Sequence, residues 1–139
     1  MVTATADHDI RSLTVQALRD AGPSFDEFDR QIDQCCTAFE DGKDDRGQAV
    51  LACLANPLGE FAGFCRAIMG NCGHELPTST AERMFAAGRR FEGALQAILG
   101  EVEEQNFIGV GDACRFDLAE ALRDCRQLFP VMAEQLERT

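Results

Sequence analysis

Apolar residues recur along this chain at the spacing of a helix, in four long stretches and one short one. Phe25, Phe28, Ile32, Cys35 and Phe39 follow one another at steps of 3, 4, 3 and 4, which places all five on one stripe of an α-helix. A second stripe runs Leu51, Leu54, Leu58, Phe61, Cys65 and Ile68. A third runs Met84, Gly88, Phe91, Leu95, Ile98 and Val102. The last joins Phe107, Val110, Cys114, Leu118, Ala121, Cys125, Leu128 and Met132. Pro57 falls inside the second of these and Pro130 inside the last. Proline removes one backbone hydrogen bond and crowds the preceding turn, so a kink is expected at "LANP" and a bend after Pro130; the unbroken phase argues against a stop. A shorter helix is expected over about Asp9 to Asp20, with Ile10, Leu13, Ala17 and Leu18 on one side. No alternating β-branched run suggests a strand.

The breaks between stripes carry helix punctuation. Ser24 with Glu27, and Ser79 with Glu82, have the spacing of capping boxes. "EDGKDDRG" interrupts the pattern after Phe39. Gly70 or Asn71 could take a left-handed cap, Pro77 bars continuation, and Asn106 is placed to cap the last helix. Long amphipathic helices joined by short connections pack antiparallel with their neighbours. The expected fold is therefore all-α: an up-and-down antiparallel four-helix bundle with an additional short N-terminal helix, formed by residues 9–139 as one domain behind a flexible tail over 1–8.

Composition narrows what such a fold could bind. The 139 residues carry a formal net charge of −11, with 24 acidic against 13 basic side chains. Phosphate backbones are held by clustered Lys and Arg, and here Arg89 and Arg90 form the lone adjacent basic pair, so nucleic acid is a disfavoured partner. No apolar run approaches the roughly 20 residues of a membrane span, and "MVTATADHD" has neither the basic start nor the apolar stretch of a secretory leader. A cytoplasmic protein without membrane contact is expected. Seven cysteines fit that compartment as reduced thiols, packed as small apolar side chains.

The nearest approach to chemistry is "FCRAIMGNCGHELP", where Cys65, Cys72 and His74 are spaced C-x6-C-x-H. A structural zinc site wants four N or S ligands, usually with closely paired cysteines. Cys65 falls on the core stripe, which leaves Cys72 and His74 as the candidate metal ligands of a loop. The same two residues could be drawn as a thiol and its base, but nothing nearby would orient the pair. His8 and His74 are the two histidines, too few for a carboxylate-bridged di-iron bundle, and no C-x-x-C-H marks a haem. Cys35 and Cys36 lack the C-x-x-C form and lie mid-helix, one facing the core and the other about 100° away. Read from Asp41 as a calcium loop, the chain puts Lys43, Arg46 and Ala52 where an acid, a glycine and a glutamate are needed. "GVGDA" has no preceding strand and too few glycines for a phosphate loop. No cofactor and no catalytic residue are expected.

One further pattern favours association. Gly109, Ala113, Phe116 and Val131 lie to one side of the last helix's stripe, and Ala86, Ala87, Gly93, Ala94 and Ala97 are small residues outside the main stripe of the helix before it. A helix with two apolar faces needs two neighbours, either the short first helix or a second subunit. The segment "NFIGVGDACRFDLAEAL", with Asn106, Phe107, Ile108, Val110, Asp112, Phe116, Asp117 and Leu118, resembles a segment of small uncharacterised helical proteins of bacteria; the resemblance implies a helical fold and no activity. The functional expectation is a non-enzymatic protein-interaction module, chaperone-like or regulatory, with a protein partner or a homodimer. The rival is a small-molecule- or metal-dependent protein that uses the Cys72 and His74 loop or a pocket between helices.

Overall fold

The computed structural model describes residues 2–138, with side chains from Asp9 onward. All regular structure within it is helical: α1 (Val2–Arg19), α2 (Gly22–Glu40), α3 (Asp44–Cys72), a 3-10 turn (Gly73–Glu75), α4 (Thr78–Glu103), α5 (Phe107–Asp112), a π turn (Ala113–Leu118) and α6 (Ala119–Arg138). The last three follow without interruption, each junction residue keeping helical torsions, so the described residues make five long helices. α2 packs against α3, α5 and α6; α4 packs against α3 and against the whole α5 to α6 run; α1 lies along α6.

The apolar stripes explain the burial. Phe25, Phe28, Ile32, Cys35 and Phe39 are all buried, as are Leu54, Leu58, Phe61, Cys65 and Ile68 on α3. Six phenylalanines meet in the middle of the molecule, with Phe61 at ring-centroid distances of 5.5 Å from Phe25, 5.7 Å from Phe28, 5.2 Å from Phe91 and 6.0 Å from Phe129. Phe64 adds an edge contact to Phe129. The Phe61–Phe129 pair is stacked and the others are edge-to-face; aromatic pairs add about 0.5–1.5 kcal/mol each beyond the area they bury.

Several expectations are corrected. α1 begins at Val2, seven residues before Asp9; Met1 and the side chains of 2–8, including His8, lie outside the described residues. Its buried face is Val15 and Leu18, while Ile10 and Leu13 are exposed. Neither capping box forms. α2 starts at Gly22 with Pro23 in the first turn, where a ring-fixed φ suits a helix and no amide is missed. Glu27 instead binds Arg30 and Gln31 along the helix. α4 starts directly after Pro77, and neither Ser79 nor Glu82 caps it. α3 runs past Gly70 and Asn71 to Cys72, and the left-handed residues among those described are Gly42 and Gln105. Gly42 has φ 75°, the geometry the "EDGKDDRG" turn needs. The cap on the last helix does form: the Asn106 side chain accepts from the Gly109 amide at 3.2 Å.

The π turn is not among the elements that the spacing predicts. Val110, Cys114 and Leu118 are separated by 4 and 4, a drift of about 80° for a regular helix. Widening one turn brings all three to the core, where each is fully buried.

Candidate functional site

The site is a seam that the helices leave open. On α4 the buried stripe is Thr80, Met84, Ala87, Phe91, Ala94 and Ile98. One position onward runs a second stripe, Phe85, Gly88, Glu92, Leu95, Leu99 and Val102, at steps of 3, 4, 3, 4 and 3. It stays partly or wholly exposed, with Phe85 at 56% and Leu99 at 63%. α3 carries a matching stripe with the same steps, Ala52, Ala55, Gly59, Ala62, Arg66 and Met69. The α4 wall carries the large Phe85, Leu95 and Leu99 around Gly88 and Glu92, the α3 wall the small Ala52, Ala55, Gly59 and Ala62 before Arg66 and Met69, and the two helices leave hollows between them.

Two hollows of similar size lie along this seam. The first, about 360 Å³, extends from Ala62 to Gly70 on one side of α3 and from Met84 to Glu92 on one side of α4, with Cys125 of α6 among its walls. The second, about 350 Å³, extends from Gln48 to Gly59 on one side of α3 and from Leu95 to Val102 on one side of α4. Arg66 donates from Nη1 to Glu92 Oε1 at 2.7 Å, at the edge of the first hollow nearest the second. Both groups are well exposed, so the pair contributes little to stability and is free to rearrange. Arg89 lines the first hollow and has no ion pair among the described residues. Its neighbour Arg90 is turned the other way, towards Asp124 and Glu120 of α6. Another hollow, between α1, α2 and α6, has a polar rim of Arg19, Arg126 and Glu134. Of these, Arg126 is engaged by Asp26 and Asp29, and Arg19 by Glu137.

No protein-family model, curated protein or solved structure matches this chain. The site is therefore read from its own geometry.

That geometry separates the residues singled out in the sequence. Cys72 is not in a loop: it ends α3, is buried, and its Sγ lies 3.7 Å from Thr14 Oγ1 of α1. His74, two residues on, is exposed. No group of three or more potential ligands comes together among the described residues. Of the expected interaction surface, Ala113 is buried inside the chain. Gly109 lies under the Glu101 carboxylate, whose Oε2 would sit 2.3 Å from any Cβ there. Ala113 thus packs within the chain, and Gly109 is half-buried. Phe116 and Val131 are exposed, but they stand fifteen residues apart, about 22 Å along a helix. Of the small residues on α4, Ala87 and Ala94 belong to the core.

Six of the seven thiols are core groups. Cys36, expected about 100° round the helix from the core-facing Cys35, is buried as well; it donates towards the Gly111 carbonyl at 3.5 Å, and burial pushes its pKa up to about 11. Cys35 of α2 meets Cys114 of the π turn, and Cys65 of α3 meets Cys125 of α6. The thiol–thiol hydrogen bond, and after it burial, raises Cys114 and Cys65 far above the ordinary thiol range. Such groups are protonated at neutral pH and unsuited to nucleophilic attack. Cys53, on the outer side of α3, is the exposed cysteine.

Sequence reasoning missed the open seam because it took Gly88, Leu95 and Val102 as core. The available signal was a doubled stripe: Met84 and Phe85, Ala87 and Gly88, Ala94 and Leu95, and Ile98 and Leu99 are adjacent apolar or small pairs. Paired stripes mark a helix that serves two neighbours.

Proposed function

We propose that this chain is a non-enzymatic protein-interaction module whose working surface is the seam between α3 and α4, and that its occupant is an amphipathic helix. In this reading the fold is an up-and-down four-helix bundle, made by α2, α3, α4 and the α5 to α6 run, with α1 laid along α6. The observation that carries it is the pair of hollows in line, floored by the core and walled by Phe85, Leu95 and Leu99 on one side and by Ala55, Gly59 and Ala62 on the other. Grooves with this make-up receive helices through residues at i, i+3, i+4 and i+7. The unpaired thiols suit a reducing compartment, consistent with a cytoplasmic role. No helix among the described residues is long and apolar enough to cross a membrane.

A photoreactive side chain placed in the producing cell at Leu99, and separately at Leu13 as an equally exposed control, tests the reading. Adducts to a helical protein segment are expected from Leu99 and absent from Leu13. Equal labelling at both positions, or none at Leu99, overturns it. The rival reading, a small apolar ligand between helices, has the hollow beside Arg89 in its favour; native mass spectrometry of untagged protein would then show a bound mass displaced by Phe85→Glu.

A further inference from the structure

We propose that the floor of the first hollow is a binding site for a soft monovalent cation, Cu(I), held by the thiolates of Cys65 and Cys125 and completed by thioether sulfur from Met69 or Met84. The proposal goes beyond the docking reading and does not depend on it. Four sulfur-bearing side chains from three helices line this one hollow: Cys65 and Met69 of α3, Met84 of α4 and Cys125 of α6. Cys65, Met84 and Cys125 are buried, and Met69 is half-buried. The two thiols are hydrogen-bonded to each other across the α3–α6 contact, so an ion placed between them needs no helix to move far. Met69 follows Cys65 by four residues and shares its face of α3. Cys35 and Cys114, the other paired thiols, line neither hollow of the seam.

The donor set selects the metal. No three side chains among His, Cys, Asp and Glu gather among the described residues, and two thiols alone do not close a zinc site. Thioether sulfur is a poor ligand for zinc and a good one for Cu(I), which accepts two thiolates with or without a third sulfur. Binding exchanges two thiol protons, released to solvent, for one cation, and leaves a bis-thiolate complex with one negative charge. Arg66, Arg89 and Glu92 line the same hollow and together carry one positive charge, which offsets it. Phe85, Arg66 and Arg89 at the rim are exposed, so the hollow opens to solvent and gives the ion a way in.

Anaerobic titration of the full chain carrying Cys53→Ser, with Cu(I) supplied as its bicinchoninate complex, tests the proposal. One equivalent should leave the chelator, with a thiolate-to-copper absorption in the ultraviolet, and X-ray absorption should show sulfur neighbours alone. Cys65→Ala or Cys125→Ala should weaken binding by more than about a hundredfold, beyond what loss of a supporting residue costs, and Met69→Leu/Met84→Leu by about tenfold. Cys35→Ala should bind as tightly as the parent. Circular dichroism establishes which variants fold. Should a cysteine variant fail to fold, the methionine pair decides, because Leu for Met keeps the core volume. A parent chain that takes no Cu(I) from the chelator overturns the proposal. So does a nitrogen or oxygen neighbour in the absorption spectrum, a folded Cys65→Ala protein that binds undiminished, or a methionine double variant indistinguishable from the parent.

Discussion

Two seams of this molecule are built on opposite plans. Where α2 meets α3 and α5, large side chains and their receptors are matched. Phe39 stacks on Phe107 with ring centroids 5.5 Å apart, and its ring presses on α3 at Gly47, where a Cβ would fall 2.6 Å from it. Cys35 reaches the Gly47 carbonyl at 3.6 Å, and Cys36 the Gly111 carbonyl. Where α3 meets α4, small residues face large ones without interlocking, and Gly59, Gly63 and Gly88 have nothing within 4 Å of where a Cβ would stand. The same kind of residue thus does opposite things. At 47 a glycine admits a ring from a neighbouring helix; at 59 and 88 glycines leave room that this chain does not fill. An apolar stripe alone does not say which of these will happen.

Thiol labelling gives the largest contrast. Cys53 should react with a small alkylating reagent at the rate of a free thiol, while Cys35, Cys36 and Cys114 in the closed seam should react only through unfolding, slower by orders of magnitude. Mass spectrometry of a labelling time course measures this; fast modification of Cys35 would mean the closed seam opens locally.

In equilibrium stability, Phe39→Ala should cost about 3–5 kcal/mol by urea titration, as expected for a buried aromatic with a cavity left behind. Gly47→Ala should cost about 1–3 kcal/mol, because the Phe39 ring is held by Phe107 and cannot retreat freely. Gly59→Ala, on the open seam, should be neutral or slightly stabilising, since the new methyl meets nothing and the helix gains about 0.5–1 kcal/mol of propensity.

A smaller effect is expected at acid pH, on the docking of α1. The Arg11 guanidinium holds the Glu75 carboxyl below its ordinary value of 4.5. The stability this lends is complete above about pH 4.5, and it is lost as pH falls through the lowered folded value. Hydrogen exchange in α1 should therefore rise in acid before exchange in α2 and α3 does, and Glu75→Gln should remove that pH dependence. The smallest effect should come from Leu99→Ala, within about 0.5 kcal/mol of the wild-type stability of the isolated chain, because Leu99 is 63% exposed and packs against little. A large loss there would show that the seam is closed from within.

Much of this was legible in the chain. The stripe on α2, most of that on α3 and the one through the last helix predict their buried residues, because a 3.6-residue period leaves a continuous apolar run one way to face. Asn106 announced the start of α5. The capping boxes failed for a local reason: Pro23 and Pro77 already set the entry torsions, so both helices started earlier than the serines proposed. Of the face expected on α1, Leu18 is buried while Ile10 and Leu13 are exposed, because contact with α6 selected Val15 beside Leu18.

By itself, then, the sequence determined that the chain is helical, where the long helices lie, and that one face of each is apolar; those properties follow from spacing along a single helix. Only the tertiary structure decided which of two adjacent stripes on α4 enters the core, that Cys72 faces α1 while His74 faces solvent, and that a π turn brings Val110, Cys114 and Leu118 onto one face. These depend on how closely two helices approach. That distance is set by the side chains of both partners at once, so no single stretch of the chain contains it.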